Sequence, residues 1–175
     1  MTVSRLVAIK NLANLLKAFK LACNVQSNLK LHIVGSGPEQ QNLEMLVNEL
    51  QIADKVVFKG FQTEVIPFLL EADYYVLPSY SEGFSIALVE AMQAGLVCIA
   101  TNVGGPAEII TENITGMLIN PYSIDDIYTK MIAAINLTLP QRVQMGAAAR
   151  EDVLKRFTPK KHVDDLLNIY KICRN

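Results

Sequence analysis

Short, almost uninterrupted apolar runs alternate with longer amphipathic ones along this chain, and that alternation restricts its fold more than any other feature. The runs "LKLHIVG" (29–35), "KVVFKG" (55–60), "DYYVLP" (73–78), "LVCIAT" (96–101) and "GMLIN" (116–120) have strand length and are bounded by turn residues. "RLVAI" (5–9) is predicted as a sixth short strand or the end of one. Helical spacing of apolar residues marks 12–22, 39–52 and 85–95, the last closed by Gly95. Shorter helices are predicted at 64–72 and 105–112, and longer ones near 123–137, 140–156 and 159–172, with Pro140 and Pro159 opening the last two. Strands that are apolar throughout must be covered on both faces, and helical crossovers between them make the neighbours parallel. The predicted fold is therefore α/β, a Rossmann-like doubly wound parallel sheet of about six strands with helices on both faces, residues 1–175 forming a single domain.

Composition narrows the functional classes. A net charge of −1 with no long basic run argues against a nucleic-acid surface built on bulk charge. Cys23, Cys98 and Cys173 are scattered and odd in number, which suits small buried hydrophobes in a reducing compartment. His32 and His162 are isolated, so no metal site is expected. No apolar stretch reaches membrane-spanning length and no leader pattern opens the chain, so the expectation is a soluble, cytoplasmic protein.

Open parallel sheets bind ligands beyond the carboxyl ends of their strands, which directs attention to the loops there. Arg5 and Lys10 follow the first strand, "GSGP" (35–38) the second, "GFQTE" (60–64) the third, "PSYSEGFS" (78–85) the fourth and "TNVGGPAE" (101–108) the fifth. In the fourth loop Gly83 permits a sharp turn or the close approach of a ligand, and Ser85 can cap the following helix. The free amides and positive dipole end of that helix suit phosphate, although an ordinary helix start would read the same way. Glu90 is the only charged residue between Glu82 and Glu108, set among Leu88, Val89, Ala91 and Met92. Such a carboxylate needs hydrogen-bond donors: backbone amides and hydroxyls of the protein, or a ligand with two adjacent hydroxyls such as ribose. "GSGP" lacks the third glycine of a dinucleotide fingerprint, and "VGGP" reads equally well as a tight connection or a ligand contact.

Taken in order, these segments resemble the C-terminal, donor-binding half of retaining GT-B glycosyltransferases, the group known as glycosyl transferases group 1. The resemblance rests on "SEGFSIALVEAMQAG", which matches that group's E-x7-E signature as Glu82 and Glu90. "SRLVAIKN" looks like its donor-phosphate segment, and "LKLHIVGSGPE", "VVFKGF", "ADYYVLPS", "CIATNVGGPAEII" and "TGMLINP" follow in the family's order.

The resemblance implies an enzyme that transfers a sugar from a nucleoside-diphosphate sugar (UDP, GDP or ADP) to an acceptor, in polysaccharide, lipopolysaccharide or glycolipid synthesis. It implies catalytic roles for Arg5 and Lys10, which would neutralise the departing diphosphate, and for Glu82, which would hold the transferred sugar and steady its cationic transition state. Amides of Gly83, Phe84 and Ser85 would hold phosphate or sugar, Glu90 would hold the ribose hydroxyls, and Gly60, Phe61 and Gln62 would lie near the base. No cofactor and no metal is implied. A sugar or lipid-linked acceptor would bind through an N-terminal domain absent from this chain, and the full enzyme would associate peripherally with membranes. The isolated domain is expected to show little transfer alone. A non-catalytic nucleotide-binding or interaction module of the same fold is the alternative. Three residues depart from the pattern: Ser4 stands where glycine is usual, and Ile9 and Asn11 flank Lys10 where glutamate and glycine are common.

Overall fold

The computed structural model describes residues 1–157 together with 161, 163, 167 and 170. Six parallel strands form two three-stranded sheets, β1 (Thr2–Val3), β2 (Leu31–Val34) and β3 (Val56–Phe58) in one and β4 (Tyr74–Leu77), β5 (Val97–Thr101) and β6 (Met117–Ile119) in the other. Their edges meet at Met1, whose amino group donates to the Tyr74 carbonyl at 2.7 Å while the Val76 amide donates to the Met1 carbonyl at 2.9 Å. The spatial order is thus β3-β2-β1-β4-β5-β6, the doubly wound arrangement, with its point of reversal between β1 and β4.

Alternation along each strand explains why both faces need helices. Leu31, Ile33, Val76, Val97 and Ile99 pack on one side with α1 (Leu12–Val25), α2 (Gln40–Glu49) and α6 (Ile124–Ile135). Val34, Tyr75, Leu77, Cys98 and Ala100 point the other way, onto α3 (Ile66–Leu70), α4 (Ile86–Gln93), α5 (Gly105–Ile109) and α7 (Leu139–Arg156). In α1 the buried stripe Leu12, Leu15, Leu16, Phe19, Ala22 and Cys23 keeps helical spacing. Each of its leucines and Phe19, once buried, contributes about 1.5–3 kcal/mol.

One expected strand is displaced. Residues 5–9 form no strand; β1 lies earlier, and Ala8–Lys10 makes a 3₁₀ turn. The reason is the lack of a neighbour: β2 ends at Val34 and β4 at Leu77, so residues 7–9 have no strand to pair with. Only Leu6 of this run is fully buried, and Ile9 is exposed. The predicted helix over 159–172 lies, apart from the four residues named above, outside the described residues, as do His162 and Cys173. Cys23 and Cys98 are buried, which pushes both thiols up from their ordinary values. Among the described residues no helix is long and apolar enough to cross a membrane.

Candidate functional site

At the carboxyl end of the sheet, where β1 and β4 diverge, a cleft of about 740 Å³ opens. Arg5, Lys10, Phe61, Gln62, Glu82, Phe84 and Ser85, all singled out from the sequence, line it. Gly60, Gly83 and Glu90 adjoin these residues but lie outside the lining. A second hollow, of about 520 Å³, surrounds His32, Asp73 and Arg142 at the opposite end of the strands and contains none of the candidate residues.

Two cations and one carboxylate dominate the cleft. Lys10 Nζ donates to Glu82 Oε2 at 2.6 Å, and Ser79 Oγ donates to the same oxygen at 2.9 Å. Arg5 is exposed and has no carboxylate partner among the described residues. The remaining polar element is the start of α4. Ser85 caps it as expected, its Oγ accepting from the Leu88 amide at 3.3 Å. No acceptor among the described residues meets the amides of Gly83, Phe84, Ser85 or Ile86. Those amides and the helix dipole give this side of the cleft a positive character that an anion would satisfy.

Glu90 sits in a different environment. It is half-buried on α4, and burial alone holds its carboxyl above the ordinary range. No described residue donates a hydrogen bond to its carboxylate. It lies one turn beyond Ile86 and Ala87, both in the cleft wall, on the same helical stripe. Side chains on a helix lean toward its N-terminus, which is the end of α4 that borders the cleft.

The glycine-rich loops divide into two kinds. A Cβ on Gly35 would come within 1.9 Å of the Ser4 carbonyl oxygen, and one on Gly104 within 2.0 Å of the Glu82 carbonyl oxygen. Both also have positive φ, so these loops require glycine to dock against the chain segments that carry Arg5 and Glu82. The "VGGP" loop is therefore a brace, fastened by the Gly105 amide to the Glu82 carbonyl at 3.2 Å, and is absent from the cleft wall. The "GSGP" loop is both: Gly35 and Ser36 line the cleft while Gly35 packs on Ser4. Gly60 and Gly83, by contrast, face open space.

A profile of the family described as Glycosyl transferases group 1 matches residues 1–152. The chain belongs to this family. N-acetyl-alpha-D-glucosaminyl L-malate synthase of Bacillus anthracis is 35% identical over 171 residues, covering 96% of this chain and 44% of that protein. The GDP-mannose-dependent alpha-(1-6)-phosphatidylinositol monomannoside mannosyltransferase of Mycobacterium tuberculosis is 32% identical over 164 residues, covering 89% of this chain and 42% of that protein. Staphylococcus aureus TarM, in a crystal with fondaparinux, alpha-GlcNAc-glycerol and UDP, superposes with a TM-score of 0.90 at 24% identity, covering 97% of this chain and 34% of that one. At that identity the likeness establishes the fold. The chain spans less than half the length of these relatives.

Within this glycosyltransferase domain, Ser79 is the residue that sequence reasoning missed. Its signal was present, a serine after Pro78 and three residues before Glu82, but a hydroxyl at a strand end reads as ordinary until its partner is located. Ser36 was passed over for another reason: its loop was weighed against a dinucleotide fingerprint and not as a wall of another site.

Proposed function

We propose that this chain is the donor-binding half of a retaining glycosyltransferase, which takes a sugar from a nucleoside-diphosphate sugar and passes it to an acceptor held by the rest of the enzyme. The observation that carries this reading is the convergence of Arg5, Lys10, Glu82 and the unpaired amides before α4 on one cleft at the point of reversal of the sheet. When the sugar–phosphate bond breaks, negative charge accumulates on the diphosphate. Arg5, Lys10 and the α4 amides stand ready to stabilise it, in the manner of preorganised dipoles around a developing anion. Glu82 approaches the sugar, whose anomeric carbon gains positive character as the leaving group departs. Glu90 accepts the ribose hydroxyls, and Phe61 and Gln62 bound the base. Phe61, 71% exposed, offers an aromatic face there. The acceptor and the linkage belong to the other half of the enzyme. By their names one relative is an N-acetyl-alpha-D-glucosaminyl L-malate synthase and another a mannosyltransferase acting on a phosphatidylinositol monomannoside, and this chain is assigned to the same chemistry of sugar transfer.

Calorimetric titration of the chain with UDP, GDP and ADP tests the assignment. At least one is expected to bind, with an affinity that falls as salt rises and a weaker salt dependence in Arg5→Ala. A folded chain that binds none of the three overturns the reading.

A further inference from the structure

Asn11 replaces the glycine usual after the lysine, and it is not a neutral replacement. Its backbone takes φ 55°, the left-handed region that glycine enters freely and asparagine tolerates better than most side chains. It is only 3% exposed. Its Nδ2 donates to the Pro78 carbonyl at 3.0 Å and to the Pro121 carbonyl at 2.7 Å. Both acceptors are carbonyls, and the two N–H groups of one amide nitrogen satisfy the pair without burying a charge.

These bonds form one side of a bracket. On the other side the Tyr80 amide donates to the Ile9 carbonyl at 2.9 Å. Asn14 Nδ2 donates to the Tyr80 hydroxyl at 3.0 Å, and the Tyr80 ring stacks on Tyr122 with centroids 5.1 Å apart. Ile9 is thus tied to Tyr80 and Asn11 to Pro78. The residues between the ties are Lys10 on one segment and Ser79 on the other, and both donate to the same Glu82 oxygen. Glu82 Oε1 accepts no hydrogen bond from a described residue.

We propose that Asn11 is a positioning residue of the donor cleft: it clamps the Lys10 turn to the Pro78–Tyr80 segment, directs Lys10 and Ser79 onto one oxygen of Glu82, and leaves the other for the sugar. The final clause rests on the donor-site reading; the clamp does not. A glycine gives the backbone conformation and none of the bonds. Aspartate keeps the shape but sets a carboxylate against two carbonyls.

The test is a double-mutant cycle for the Lys10–Glu82 pair, using Lys10→Met and Glu82→Gln, read by denaturant unfolding in the unmodified chain and again in the Asn11→Gly background. The coupling is expected to fall by half or more in that background, and Asn11→Asp is expected to lower the unfolding midpoint further than Asn11→Gly. Unchanged coupling, with only a lower midpoint, assigns Asn11 a purely structural part and overturns the proposal. If Asn11→Gly does not fold, Asn11→Ser, which keeps one donor, reads the same quantity, with a reduced coupling expected. The cycle needs no ligand. Titration of the unmodified chain with UDP, GDP and ADP judges the donor reading separately, so the two failures are distinguishable.

Discussion

Glu82 and Glu90 are eight residues apart and occupy opposite settings. Glu82, in the loop before α4, meets two donors on a single oxygen, Lys10 from the turn after β1 and Ser79 from its own loop. The Glu90 carboxylate, on the body of α4, has no hydrogen-bond donor among the described residues, and burial raises its pKa. One acid is held in place by two side-chain donors; the other is shifted upward by burial. The difference separates an acid fixed by side chains of the protein from one that no described side chain contacts through a hydrogen bond.

The largest expected effect comes from Glu90→Gln. If Glu90 holds ribose hydroxyls, nucleotide affinity falls by about 1.5–3 kcal/mol, or about 10- to 150-fold, as calorimetry would report. Affinity within twofold of the unmodified chain would leave Glu90 without a ligand role. Glu82→Gln should act on stability instead. It strips Lys10 of its charged partner in a pair only 20% and 12% exposed, and is expected to cost about 1–2 kcal/mol in denaturant unfolding. Ser79→Ala removes one hydrogen bond to that carboxylate and should cost about 1 kcal/mol. A cost indistinguishable from zero would place Ser79 outside the network.

The smallest effect sharpens the contrast most, because its sign reverses. The folded state raises the pKa of Glu90, so it binds the proton more tightly than the unfolded chain does. Stability from this group is present below the unfolded value, about 4.3, and declines as pH rises through the higher folded value. Glu90→Gln mimics the protonated form. It should therefore raise the melting temperature slightly at pH 7 and lose that advantage near pH 4. A destabilised variant at pH 7 would show that the protein itself supplies donors to Glu90.

Much of the cleft was legible before the fold was known. Periodicity placed five of the six strands within a few residues, and the rule for parallel sheets then pointed to the loops after them. Ser85 read correctly as a cap because capping is local, a hydroxyl and an amide three residues apart. The displaced first strand was less legible, since residues 5–9 are as apolar as a strand and only the ends of β2 and β4 show that no partner lies beside them.

Local chemistry thus determined the elements, the two acids and the helix start, because spacing of 2 or 3.6 residues and the demands of a cap are written in adjacent residues. Tertiary structure decided which residues meet. Lys10 and Glu82 are 72 positions apart, and Asn11 and Pro121 are 110 apart. Nothing in either segment names the other; the order β3-β2-β1-β4-β5-β6 brings them together by setting the ends of β1 and β4 side by side. It also decided that Gly104 is a brace and Gly83 is open, two glycines in similar loops that only the packing of one backbone on another can tell apart.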